Sequence, residues 1–250
     1  MAQLDGKVAW VTGSGSGIGE AAAIALAAEG CTVLLTGRTR AKLDSVAARI
    51  GKAAHVQPAD LSDAKSVQAV ASFIEKEFGR LDILVNNAGL NINDRSWAKL
   101  SPEGIRELVD GNVMSAFHGA IAALPLMRKQ KDGVMIHTAS MAGRFVSPMA
   151  GPGYAASKHA VVAMSHSINM EECGNGIRST ALCPGEVRTP ILDKRPNKLS
   201  EQELSEMLQP EDCAELILFL ATRPPHVCVN EVLVTPTRNR GYLAQQARKL

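Results

Sequence analysis

The sequence predicts an α/β fold: a doubly wound parallel sheet of seven strands with helices on both faces, built as a single domain over residues 1–250. Three observations lead there. Short apolar runs rich in β-branched residues alternate with longer segments of helical periodicity. Such alternation calls for crossover helices that return each strand parallel to the last. A glycine cluster also separates the first run from the first helix, where an open sheet carries its ligand turn. An eight-fold barrel is the alternative, but seven runs are too few for it.

In chain order, the first strand is expected at 7–12 and the first helix at 18–29. Strands at 32–36 and 53–57 flank a helix at 40–50, and a helix at 62–78 leads to the fourth strand at 81–86. One long helix is predicted over 104–128, then a strand at 133–138, a helix at 154–173 and a strand at 178–183. A helix at 210–221 precedes the last strand at 227–235. Residues 184–210, rich in proline and charge, follow the sixth strand on the side where open sheets bind ligands, so a substrate lid is expected there. The charged segments 64–80 and 201–215 read as solvated faces.

Composition narrows the function classes. Hydrophobic residues make up 46% and charged residues 21%, the usage of an ordinary globular protein. The net charge of +2 is spread without basic stripes or interleaved aromatics, which argues against a nucleic-acid partner. The cysteines, Cys31, Cys173, Cys183, Cys213 and Cys228, are odd in number and widely spaced, without metal-ligand spacing, so a reduced cytoplasmic protein with no metal is expected. The opening residues lack the pattern of an export signal, and no apolar stretch reaches the roughly 18 residues of a membrane span.

The glycine cluster Thr12-Gly13-Ser14-Gly15-Ser16-Gly17-Ile18-Gly19 sits between strand and helix. Glycines there let backbone N–H groups approach a pyrophosphate, and the helix N-terminus adds about half a positive charge. After the second strand, an NAD site would carry a carboxylate for the ribose hydroxyls. This sequence has Gly37 and then Arg38, whose guanidinium matches a 2′-phosphate; NADP is the expected cofactor, NAD the lesser one. Arg40, two residues on, is in reach to share that role.

With that loop, Asn86-Asn87-Ala88-Gly89, Ser140 and Tyr154-Ala155-Ala156-Ser157-Lys158, the sequence resembles the short-chain dehydrogenase/reductase family from Gly6 to about Thr235. The resemblance implies a Rossmann-like domain, a small carbonyl or alcohol substrate, and assembly as a homotetramer or homodimer. It implies Tyr154 as acid/base, Lys158 as its activator, Ser140 as the residue orienting substrate oxygen, and Asn112 as part of a proton relay. It also implies that Asp60 and Leu61 meet the adenine, Asn87, Ala88 and Gly89 the adenosine ribose, and Pro184, Gly185, Val187 and Thr189 the nicotinamide side, with Asn86 structural. Ser140 and Tyr154 stand fourteen positions apart, one more than the family pattern, so the intervening loop should bulge.

Tyr154 and Lys158, four residues apart on a helix, share one face. Bringing a phenol from about 10 to near 7 takes roughly 4 kcal/mol, about what one close ammonium supplies at an effective dielectric near 20. Arg95, Arg144 and Arg188 fall in segments bordering the expected substrate cavity, where one of them could grip a carboxylate or phosphate. His137 and His159 read as structural. The apolar residues of 154–173 suggest a self-association surface. Reduction of a 3-oxoacyl group on a carrier protein and a non-catalytic NADP sensor are the alternative functions.

Overall fold

The computed structural model describes residues 3–194 and 199–247. Among these, seven strands form one all-parallel sheet in the order β3-β2-β1-β4-β5-β6-β7. They are β1 (Val8–Thr12), β2 (Thr32–Thr36), β3 (Ala54–Val56), β4 (Ile83–Asn86), β5 (Gly133–Thr138), β6 (Ile177–Pro184) and β7 (Glu231–Val234). The expected fold is the observed one. β1, β4 and β5 are buried throughout, which is why they read as unbroken apolar runs and not as alternation.

The helices are α1 (Gly17–Ala28), α2 (Arg40–Ile50), α3 (Ala64–Phe78), α4 (Pro102–Leu108), α5 (Ser115–Gln130), α6 (Pro152–Glu172), α7 (Glu201–Ser205), α8 (Pro210–Ala221) and α9 (Arg240–Ala247). One core layer joins Leu26 of α1, Leu43 of α2 and Ile217 of α8 to the sheet. The opposite layer joins Ile74 of α3, Met127 of α5 and Val161 of α6. Full burial of each such side chain stabilises the fold by roughly 1.5–3 kcal/mol. The strand order reverses between β1 and β4, so the loops after these strands part and leave a crevice.

Four local features differ from the sequence expectation. The long helix is split, because a π turn over Val109–Met114 separates α4 from α5. β7 starts late, because Arg178 Nη1 donates to the carbonyls of Arg223, Pro224 and Val227 at 2.9, 3.0 and 3.4 Å and holds that stretch as a turn. Segment 201–215 divides into α7 and α8, and α8 buries Cys213, Ala214 and Ile217 while its charged residues stay on the surface. Helix α9 was not foreseen. Part of the expected lid, residues 195–198, lies outside the described residues. Among the described residues no helix is long and apolar enough to cross a membrane, and no His/Cys/Asp/Glu cluster could hold a metal.

Candidate active site

A cleft of about 1430 Å³ crosses the carboxyl ends of the strands. Small-molecule sites are typically about 300–1,000 Å³, so this one has room for a dinucleotide and a substrate together. Its floor follows the sheet order, from Arg38 and Asp60 after β2 and β3, past Gly13 and Asn87 after β1 and β4, to Ser140 and Gly185 after β5 and β6.

The glycine loop is shaped by close approach. Gly13 and Gly17 have φ of +64° and +58°, which other residues rarely adopt. A Cβ on Gly13 would stand 2.9 Å from Ala88 Cα, one on Gly17 3.0 Å from Thr189 Cγ2, and one on Gly19 2.6 Å from Asn87 Nδ2. Buried Thr12 fixes the register, its Oγ1 accepting from Asn87 N at 2.9 Å and Ala88 N at 3.1 Å. Asn87 Nδ2 returns bonds to Thr12 O and Gly13 O at 3.3 and 3.4 Å. Ser16 precedes α1 without capping it through its side chain, so first-turn amides face the cleft unclaimed by that hydroxyl, as an anion site requires. Gly13, Ser16, Gly17 and Ile18 line the cleft, whereas Gly19 stands behind the loop and gives Asn87 its space. This cradle, without room for a Cβ at Gly13 or Gly19, fits a pyrophosphate.

At the β2 end, Gly37, Arg38 and Lys42 line the cleft. Arg40 is turned away: it pairs with Asp44 one turn on, at 3.5 Å, and Lys42 holds the position that the sequence reading gave to Arg40. Asp60 Oδ1 accepts from Ser62 Oγ at 2.7 Å and Ser62 N at 3.0 Å. Those bonds, with a smaller contribution from Arg38, hold its carboxyl below the usual range. Asp60 and Leu61 both line the cleft, and Asn86 is structural as expected, donating to Ala116 O at 2.6 Å.

Ser140, Tyr154 and Lys158 meet on the β5–β6 side of the cleft. Pro152 opens α6, and Tyr154 and Lys158 follow one turn apart. Burial pushes the Tyr154 phenol above its ordinary range, opposed by a hydrogen bond with Ser140 and by the charge of Arg95. The direction is upward, opposite to the lowering expected from the Lys158 ammonium. Lys158 Nζ lies 5.7 Å from the tyrosine ring centre and donates to Thr138 O at 2.8 Å. Burial pushes that ammonium down to about 8. A phenol beside a hydroxyl and an ammonium, open to a cleft, can exchange a proton with an oxygen bound there.

Asn112, in the π turn, is buried and spent on other bonds. Its Nδ2 donates to Leu90 O and Ser157 Oγ, both at 3.0 Å, and its Oδ1 accepts from Leu90 N at 2.7 Å. The amide thus braces the turn after β4 and does not present its donors to the cleft. It remains close to Lys158, since a Cβ on Gly89 would lie 3.0 Å from Asn112 Oδ1 and 3.2 Å from Lys158 Nζ.

The family model described as short chain dehydrogenase matches residues 7–200. The chain belongs to the short-chain dehydrogenase family. An uncharacterized oxidoreductase of Staphylococcus aureus is 35% identical over 240 residues, covering 94% of this chain and 100% of the relative. Among solved structures, a 3-ketoacyl-(acyl-carrier-protein) reductase from Brucella melitensis complexed with NADH is 31% identical, with a TM-score of 0.86 and coverage of 94% of this chain and 99% of that one. An alcohol dehydrogenase from the archaeon Thermococcus sibiricus, complexed with 5-hydroxy-NADP, is 28% identical, with a TM-score of 0.83 and coverage of 92% and 97%. The chain is an oxidoreductase of this family, and a nicotinamide cofactor is supported.

On this short-chain dehydrogenase frame the three flagged arginines differ. Arg188 lies off the cleft, paired with Glu201 at 3.0 Å. Arg144 borders the cleft, but its guanidinium pairs with Glu231 at 3.0 Å. Arg95 borders the cleft and acts on Tyr154. The loop after Ser140 exposes Phe145, Val146 and Met149 as an apolar rim of the cleft. Pro184, Gly185, Val187 and Thr189 line the same side. Sequence reasoning missed Asn239, Arg240 and Tyr242 at the α9 end. One signal was legible: Asn239 is a helix-capping residue type, and its Oδ1 accepts from Gly241 N at 2.9 Å.

Proposed function

We propose that this short-chain dehydrogenase transfers hydride between NADP and the carbonyl or alcohol of a small metabolite, with Tyr154 as the acid/base. The observation that carries the reading is the convergence of Ser140, Tyr154 and Lys158 at one wall of a cleft whose other end carries Arg38. Gly13, Ser16, Gly17 and Ile18 hold the pyrophosphate, Asp60 and Leu61 the adenine side, Asn87 to Gly89 the ribose, and Pro184, Gly185, Val187 and Thr189 the nicotinamide side. When bound, the cofactor supplies the hydride, and the protein supplies position and field.

Ser140 fixes the substrate oxygen next to the Tyr154 hydroxyl. The phenol, raised by burial, keeps its proton at neutral pH, which suits donation to a carbonyl oxygen in the reductive direction. Lys158, held by Thr138 O, offers a positive charge to the phenolate left behind and a proton to restore it. Gly37 puts no carboxylate beside the ribose, and Arg38 with Lys42 offers two cations to a 2′-phosphate. A second reading, reduction of a 3-oxoacyl group on a carrier protein, draws on the likeness to the Brucella reductase.

Self-association is part of the same reading, with a different helix in the leading part. Ala155, Val161 and Met164 of α6 are buried in the chain's own core. Val109, Met114, Phe117 and Ile121 instead leave an exposed apolar stripe along the π turn and α5. Light scattering is expected to give a multiple of 26.5 kDa; a monomer at micromolar concentration counts against the assembly. The function is tested by following NADPH absorbance against a panel of ketones, aldehydes and 3-oxoacyl thioesters. Turnover of some panel member is expected, and wild-type protein that binds NADPH without turning over any of them favours the sensor role.

A further inference from the structure

The family match ends at residue 200, yet one wall of the cleft is built from residues beyond it. Helix α9 contributes Arg240, Gly241, Tyr242, Ala244 and Gln245 to that wall. It has no apolar stripe of its own to hold it down: Gly241 to Gln246 are all exposed. What holds it is charge. Arg240 Nε and Nη2 each reach a carboxylate oxygen of Glu186 at 3.0 Å, a two-pronged pair, and its Nη1 reaches Glu203 at 2.7 Å. Arg238 adds an ion pair to Glu206 at 3.2 Å.

These contacts gather three separate walls. Glu186 belongs to the loop after β6 that carries Val187 and Thr189, and Glu203 belongs to α7. Asn239 and Arg240 also touch the loop after Ser140, through Asn239 Nδ2 to Met141 Sδ at 3.7 Å and Arg240 Nη2 to Met149 Sδ at 3.9 Å. Arg240 is only 26% exposed and Glu186 only 19%, so the pair is partly withdrawn from solvent, where a planar fork on a carboxylate is worth more than a surface pair. Lysine could not reproduce the two-pronged geometry.

We infer that Arg240 is a positioning residue of the reaction, clamping α9 as the outer wall of the substrate side of the cleft. This rests on the proposed function for the identity of the bound substrate, but the clamp itself is a matter of the chain alone. Loss of the clamp loosens α9 and costs substrate binding, whereas the pyrophosphate cradle and the Arg38 end of the cleft, which hold most of the cofactor, and Tyr154 keep their own contacts.

The test uses the full chain with Arg240→Met, Arg240→Lys and the milder Glu203→Gln, which remains available should the first variant fold poorly. Amide hydrogen exchange in 240–247 is expected to speed about tenfold in Arg240→Met, less in the other two, with exchange in α1 unchanged. KM for the best ketone of the panel should rise about tenfold, or about 1.4 kcal/mol, while kcat and NADPH affinity stay within about twofold. Unchanged exchange in all three variants overturns the clamp, and so does faster exchange with an unchanged KM. Should the wild type bind neither NADPH nor NADH, the proposed function fails, and the exchange measurement still decides whether Arg240 holds α9.

Discussion

Replacing Lys158 by methionine is expected to stabilise the protein while abolishing turnover. Lys158 is buried, and burial lowers its ammonium from 10.5 to about 8. At about 1.36 kcal/mol per unit, holding it charged at pH 7 costs roughly 3 kcal/mol relative to the unfolded chain. Methionine has a similar length and no charge to desolvate, but it leaves Thr138 O without the bond it now accepts at 2.8 Å, a loss of about 1–3 kcal/mol. The net gain should be about 1 kcal/mol, which for a chain of this size is an increase in Tm of about 2–4 °C. The sign has a pH signature. A lysine whose folded value is depressed carries its full penalty below about 8 and none above about 10.5, so the advantage of the variant should shrink as pH rises through that window. Urea unfolding of both proteins between pH 7 and 10.5 measures it. Destabilisation of Lys158→Met by more than about 1 kcal/mol at pH 7, or a difference that does not narrow with pH, refutes the reasoning.

Arg38→Ala should lose about tenfold in NADPH affinity and little in NADH affinity, the modest size reflecting an exposed guanidinium. Adding Gly37→Asp, where a Cβ meets nothing closer than Leu43 Cδ2 at 3.5 Å, should turn the preference toward NADH; calorimetric titration with both cofactors reads the result, and tighter NADH binding by the wild type sinks the assignment. His137 is fully buried with no partner for either ring nitrogen among the described residues, and burial pushes it from 6.5 to about 4. The unfolded chain therefore takes up a proton that the folded chain refuses, and stability should fall by about 3 kcal/mol as pH drops from about 6.5 to about 4. His137→Leu should lack that component, which matched denaturation curves across the window would detect.

What the sequence disclosed, and what it hid, follows from where each signal resides. Strands such as Val8–Thr12 and Gly133–Thr138 were legible because full burial demands a continuous apolar run. The glycine loop was legible because Gly13 and Gly17 need positive φ and Gly19 needs room beside Asn87. The π turn at 109–114 was hidden, since one residue of slip in a helical ladder leaves no mark on residue type. Helix α9 was hidden because charge pairs hold it, and periodicity reports only burial. The roles of the arginines were equally hidden: Arg144 and Arg188 are taken by Glu231 and Glu201, partners distant or ordinary in sequence, and only the fold shows that Lys42 replaces Arg40 at the cleft.

The central claim is proton transfer by Tyr154 coupled to hydride transfer, and Tyr154→Phe tests it most directly. The substitution removes one oxygen and keeps the ring that packs beside Lys158. NADPH affinity should stay within about twofold of wild type, while kcat for the best panel substrate should fall about a hundred- to ten-thousand-fold, the range for loss of a general acid. Turnover at the wild-type rate by a variant that still binds NADPH would contradict the account.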